Sequence, residues 1–445
     1  MKSNVLVDRT NIGVFGKTNA GKSTVMNLLT SQETSIVDPT PGTTADVKEA
    51  VMEIHDFGPV KVFDTAGLNE FSRLGAKKKF KALQTLKESD LILLVVDPIE
   101  SLKDNDFSVE NEVASLARQY GKQIFLVYNI FSSKAGGHPM NAHARISDMV
   151  QACNERVYHS SNLKYLSLDA HEPLAGMALI EFIKQNFVKL ERKVDLLPFL
   201  NSDGFVAMNI PVDEETPEGR LLKPQNAVLD YLLRRFIPFA GFRMDLTKAR
   251  SPIEEIRENE RRKYLEFLEE LNSRKNLQLL ITDSQAIDVV SRWTPKSIPV
   301  TTFSIIMINY QTRGQLKKLV DGLRVFDTLK ENDRILIAEA CNHDRKCDDI
   351  GTVQIPRRLK ARLGFNVSFD FNFGREFPPE DELKKYRLLV HCGGCMIDSQ
   401  KMSARMTDLM EVDIPITNYG LLFSYIEGKE TLEQVLSPWG IALSW

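Results

Sequence analysis

Residues 12–29 read IGVFGKTNAGKSTVMNLL. An apolar run of strand composition occupies 12–15, a glycine-bounded polar loop follows at 16–23, and apolar residues then recur at helical spacing. Gly16 and Gly21 free the backbone to wrap phosphate oxygens with N–H groups, and the helix amino terminus adds its partial positive charge. Lys22 is placed to reach the outer phosphates and Ser23 to hold Mg2+. Strand, loop and helix in this order predict an α/β, doubly wound P-loop domain.

Two further segments belong with that loop. Residues 64–67, DTAG, close a strand-like run at 60–63. This sets Asp64 to hold Mg2+ through water and the Gly67 amide to meet the γ-phosphate. Residues 41–46, PGTTAD, offer Thr43 or Thr44 as a switch closing over Mg2+, and Thr44 is the choice. The nucleotide-contact set is Gly16, Asn19, Ala20, Gly21, Lys22, Ser23, Thr24, Asp64, Gly67 and Asn129, with Lys22, Thr44 and Gly67 acting on the transferring phosphate. One position departs. Guanine-specific GTPases carry Asn-Lys-x-Asp after the fifth strand, whereas Tyr128 is followed here by Asn129-Ile130-Phe131-Ser132. Without a carboxylate to accept from the guanine N–H groups, discrimination against ATP is expected to weaken, leaving Asn129 as the anchor. The three motifs together resemble the TrmE and Era-like branch of the GTPases, and Asn19 resembles the residue with which some of them hold K+.

Strand-like runs at 12–15, 60–63, 91–96, 124–128 and 165–168 alternate with helical segments as far as about residue 183. A charged stretch at 189–195 opens a second region with a run at 206–210, the Pro- and Gly-punctuated PVDEETPEGRLLKPQ (211–225) and an apolar-periodic helix at 227–236. Residues 254–274 have amphipathic helical character and are expected to form a solvated linking helix. Runs at 277–282, 300–308, 334–338, 388–390 and 414–416 predict a second α/β sheet. The predicted domains are therefore 1–190, 191–272 and 273–445.

Lys and Arg number 57 against 60 Asp and Glu, so no global charge draws the chain to nucleic acid or to an acidic membrane. The first ten residues lack the apolar core of a signal peptide, and no run approaches a membrane span. A cytoplasmic protein is expected. Five cysteines are too sparse for a disulfide framework and point to a metal instead. Cys341 and His343 follow the run at 334–338, and His391, Cys392 and Cys395 follow 388–390. Both clusters thus sit at carboxyl ends of strands, where open α/β sheets bind ligands. Asp283 and Asn418 follow other strands in the same way. The glycines inside Cys392-Gly-Gly-Cys395 let two thiolates face one ion and let the backbone donate N–H groups to sulfur. Three thiolates with a histidine suit zinc, and three with an exchangeable fourth ligand suit a 4Fe-4S cluster.

C-x-H, then about fifty residues, then H-C-x-x-C resembles the HydF family, the GTPases that help assemble the active site of FeFe-hydrogenases. The likeness runs over essentially the whole chain. PVDEETPEGRLLKPQ is similar to the family's dimerisation segment, and TDSQ, DDIGTVQIPR, HCGGCM and PITNYG are similar to its cluster domain. The resemblance implies a 4Fe-4S cluster on Cys341, Cys392 and Cys395 whose labile fourth site docks a diiron precursor. His343, His391 and Asp348 are candidates for that position, although each histidine reads first as a donor that orients a thiolate or the loop. Cys347 and Cys153 read as ordinary thiols. The resemblance also implies a homodimer, a scaffold and carrier role, and as partners the radical-SAM maturases HydE and HydG and the apo-hydrogenase. A ribosome- or RNA-associated Era-like GTPase with a structural zinc domain is the rival, and the absence of a basic-aromatic motif counts against it.

Overall fold

Leu91–Val96 is apolar at every position and every side chain is fully buried, as a central parallel strand covered on both faces requires. The computed structural model describes residues 9–30, 47–65, 76–131, 142–157, 163–189, 194–211, 221–340, 349–374, 377–378, 380–394 and 399–445. The chain divides into two compact units, Val7–Leu190 and Glu191–Trp445, the latter joined by Met1–Leu6.

The first unit holds six strands: β1 Thr10–Gly16, β2 Val47–Ile54, β3 Gly58–Thr65, β4 Leu91–Val96, β5 Gln123–Asn129 and β6 Lys164–Leu168. Their order is β2-β3-β1-β4-β5-β6. All pairs are parallel except β2 with β3. β2 is not foreseen from the sequence. It is an edge strand that buries Ala50, Met52 and Ile54 on one face and leaves Glu53 outward, so its apolar signal is halved. The strand order reverses between β1 and β4, and the loop at 16–23 leaves β1 at that switch point.

The second unit holds two four-stranded parallel sheets. In one, β7 Phe205–Asn209, β8 Phe239–Phe242, β9 Leu277–Thr282 and β10 Val300–Thr302 are arranged β10-β9-β7-β8. In the other, β11 Arg334–Glu339, β12 Ser368–Phe373, β13 Leu388–His391 and β14 Ile416–Asn418 are arranged β12-β11-β13-β14. The runs at 277–282 and 300–302, expected in the final sheet, instead pair with β7 and its neighbours. Asp283 accordingly stands at the end of the middle sheet, where Gln225 Nε2 donates to it at 3.0 Å.

Strand character stops at Thr302. The apolar run that follows is the helix Phe303–Gln311, because Thr302 Oγ1 caps its amino terminus by accepting from Ile305 N. Nor is Glu254–Lys275 a solvated linker. It is the crossover between β8 and β9, with Tyr264 and Leu268 fully buried and Tyr264 OH 2.6 Å from Thr294 Oγ1. The two sheets share one core running from Ala207 through Ile305 to Leu421. Gly420 lies at their junction, where a Cβ would come within 2.8 Å of Thr302 Oγ1 and 3.1 Å of Ser284 Oγ.

Candidate functional site

The loop after β1 is held in the shape its glycines permit. Gly16, Asn19 and Gly21 all have positive φ, at 147°, 63° and 94°. A Cβ on Gly16 would stand 2.2 Å from the Val95 carbonyl, and one on Gly21 2.1 Å from Asn129 Nδ2. Two lysines occupy the loop and their roles separate cleanly. Lys17 is tied back to Asp106 at 3.0 Å and to buried Glu110 at 3.7 Å. Lys22, at the start of the helix Lys22–Thr30, is buried, and its Nζ donates to the Lys17 carbonyl at 2.7 Å across the loop. Burial lowers its pKa and the Asp64 carboxylate opposes that shift. Ser23 Oγ donates to Asp64 Oδ2 at 2.7 Å, so the two side chains expected to share Mg2+ already converge. Thr43, Thr44 and Gly67 lie outside the described residues.

Asn129, the last residue of β5, is fully buried and bridges two loops. Its Nδ2 donates to the Ala20 carbonyl at 3.1 Å, and its Oδ1 accepts from Ala170 N at 3.1 Å. It braces the phosphate loop from within. Phe131 and His171 pack nearby with ring centroids 5.8 Å apart. The segment 169–171 escaped the sequence reading. The signal was its position immediately past a strand, at the same end of the sheet as the phosphate loop. Asn129→Ala leaves both backbone partners without their buried mate. Each orphaned group costs about 1–3 kcal/mol, so a lower melting temperature and weaker nucleotide binding are expected together.

In the third sheet the strand order reverses between β11 and β13, neighbours in the register Ala338↔His391. Cys392 leaves the end of β13 buried, and its Sγ accepts from Ala340 N at 3.2 Å and from Gly394 N at 3.4 Å. Gly394 takes φ 64° to make that turn. His391 is fully buried. Its Nδ1 donates to the Cys392 carbonyl at 2.7 Å, and Arg405 Nε approaches Nε2 at 3.5 Å. Burial, with Arg405 adding, pushes this imidazole down to about 3, so it is neutral and both ring nitrogens are engaged within the fold. Tyr419 OH donates to buried Glu339 Oε1 at 2.9 Å. Gly351 is the only residue type that fits against that pair, since a Cβ there would come within 2.6 Å of both. Asn418 is spent on structure, donating to Ser304 and capping the next helix at Leu421. Cys341, His343, Cys347, Asp348 and Cys395 lie outside the described residues. Cys153 is a buried thiol of the first unit, raised to about 12 by burial.

Comparison with known proteins reaches part of each of the three sheets. Residues 11–130 match the 50S ribosome-binding GTPase family, 256–312 the hydrogen maturase F dimerization domain, and 317–438 the hydrogen maturase F tetramerization domain. The chain belongs to the hydrogen maturase F family. Its first unit carries the GTPase domain of that family, a fold that supports binding of GTP and Mg2+.

The first unit also resembles tRNA modification GTPase MnmE of Prochlorococcus marinus (strain MIT 9215), 42% identical over 23% of this chain and 22% of that protein. GTPase Der of Kosmotoga olearia is 33% identical over 27% of this chain and 28% of that protein. The chain thus spans about a quarter of the length of these curated relatives. The G domain of the T. maritima FeoB iron transporter matches over 40% of this chain and 98% of that chain, at 20% identity and a TM-score of 0.27. The two modules matched in the second unit are by name a dimerization and a tetramerization domain. Among the described residues no helix is long and apolar enough to cross a membrane.

Proposed function

We propose that this maturase carries a 4Fe-4S cluster on Cys341, Cys392 and Cys395 and acts as scaffold and carrier for a diiron precursor. The observation that carries the proposal is the strand order β12-β11-β13-β14. The two cysteine clusters follow β11 and β13, the adjacent strands on either side of the switch point, where such sheets bind ligands. The chemistry of Cys392 supports it further, because a sulfur that accepts two backbone N–H groups is stabilised as a thiolate. Such a cluster supplies electron-rich bridging sulfides and one exchangeable iron site. His343 or Asp348 remains the candidate for that site, and His391 is a positioning residue that holds the Cys392 backbone. The dimerisation segment extends from about residue 191 to about residue 312, since β9 and β10 complete the sheet begun by β7.

GTP acts as the regulatory ligand. Ser23, Thr44 and Asp64 hold Mg2+, and Thr44 and Gly67 respond to the γ-phosphate, so hydrolysis alters the affinity of the second unit for its partners. Those partners are HydE and HydG, which supply the precursor, and the apo-hydrogenase, which receives it in the cytoplasm. A homodimer through the middle sheet is the working form. Asn19, whose φ in the phosphate loop is 63°, is the candidate K+ ligand. Hydrolysis is therefore expected to run several-fold faster in potassium than in sodium, and equal rates remove the K+ role.

Anaerobic purification followed by iron, sulfide and zinc analysis and EPR of the reduced protein tests the proposal. Four irons per chain with a reducible 4Fe-4S signal are expected. Stoichiometric zinc without iron would make the second unit a structural domain and end the scaffold role.

A further inference from the structure

We propose that Asp169 is the carboxylate that reads the guanine base, in place of the aspartate that Asn129-Ile130-Phe131-Ser132 lacks. The inference rests on the GTPase reading of the first unit and names the residue that makes it guanine-specific. From Asn129 to Ser147 the sequence contains no aspartate or glutamate, so the segment after β5 cannot supply the group. The segment after β6 can. Asn129 lies opposite Leu168 in the β5–β6 register, which makes Asp169 the first residue past the neighbouring strand.

Asn129 hydrogen-bonds at once to the phosphate loop through Ala20 and to Ala170. A nucleotide seated on that loop therefore extends its base over the carboxyl ends of β5 and β6. The surroundings suit a purine. Phe131 and His171 offer flat faces with centroids 5.8 Å apart, and the Phe131 ring reaches to 3.5 Å of where a Gly21 Cβ would stand.

The Asp169 side chain is only 11% exposed. Its Oδ1 accepts from His171 N at 2.9 Å and lies 3.2 Å from His171 Nδ1. An asparagine would cap the turn equally well. Guanine calls for a carboxylate where an amide would not serve. Guanine presents N1–H and the 2-amino group side by side, and one carboxylate accepts from both. Adenine presents an acceptor and a C–H at the same edge, leaving the charge unpaired and rejecting ATP.

The same chemistry gives a gain-of-function test. Xanthine keeps N1–H but replaces the amino group with a carbonyl, and the amide of asparagine offers the matching acceptor and donor. Binding of GDP, IDP and XDP to the full-length protein with Mg2+, measured by titration calorimetry, separates the possibilities. Wild type is expected to bind GDP at least about tenfold more tightly than IDP, which lacks the amino group, and than XDP. Asp169→Asn is expected to weaken GDP roughly 10²-fold and to strengthen XDP comparably. Unchanged GDP affinity in the variant without a gain for XDP overturns the assignment. So does loss of every nucleotide at an unchanged melting temperature, or a switch to XDP produced by Glu172→Gln instead. Should the variant not fold, wild-type indifference between GDP and IDP overturns it alone. Wild type that binds no guanine nucleotide removes the GTPase reading itself, a failure distinct from an unmoved variant.

Discussion

Lys22→Ala is expected to lower GTP hydrolysis about 10²- to 10³-fold, the usual cost of losing one preorganised group that stabilises transition-state charge. Lys17 cannot substitute, because its ammonium is held by Asp106 and Glu110. The variant is not expected to destabilise the nucleotide-free protein, and this is what distinguishes a loss of chemistry from a loss of fold. Burial holds the Lys22 pKa below its ordinary value, so the unfolded chain binds this proton more readily than the folded one. The resulting penalty is fully present below the folded pKa and lifts as pH rises towards the unfolded value. Lys22→Met removes a charge from a buried position and is expected to flatten that rise in melting temperature. Turnover within a few-fold of wild type in Lys22→Ala would mean that the phosphates do not sit on this loop.

Cys392→Ala is expected to reduce bound iron and sulfide to a small fraction of wild type and to abolish the EPR signal of the reduced protein. Two effects combine. One thiolate is deleted, and Ala340 N and Gly394 N lose the sulfur to which they donate. GTP hydrolysis, performed in the other compact unit, is expected to change little. Cys153→Ala is the matched control. Its thiol is buried and raised to about 12, so it is neither a thiolate nor accessible to a metal. Retention of iron in Cys392→Ala would exclude this sulfur as a ligand, and loss of iron in Cys153→Ala would mark an indirect effect of unfolding.

The phosphate loop was legible because its signal is local. Two glycines, Lys22 and Ser23 lie within one loop between a strand and a helix, and backbone geometry alone makes that order a cradle. The Cys392 turn was legible for the same reason. Sheet membership was not. The run at 277–282 is apolar whether it pairs with β7 or with β11, and only long-range register decides. Likewise 303–311 is apolar on all sides, so its periodicity does not separate strand from helix, and the Thr302 cap made the choice. The helix Glu254–Lys275 carries so many charges that Tyr264 and Leu268 were outvoted, yet those two side chains bury it against the sheet.

Sequence by itself determined that the chain has a phosphate-binding loop, four of its five cysteines in the last quarter, and α/β alternation, because these depend on residues close together along the chain. Tertiary structure alone decided which strands became neighbours, and with them the meeting of distant residues. It brought the ends of β11 and β13 side by side, one leading in sequence to Cys341 and the other to Cys392. It engaged both nitrogens of His391 inside the fold. It also joined Asn129 to Ala20 and Ala170. The physical reason is that a side chain's role follows from what burial and register put opposite it, and those partners are drawn from anywhere in the chain.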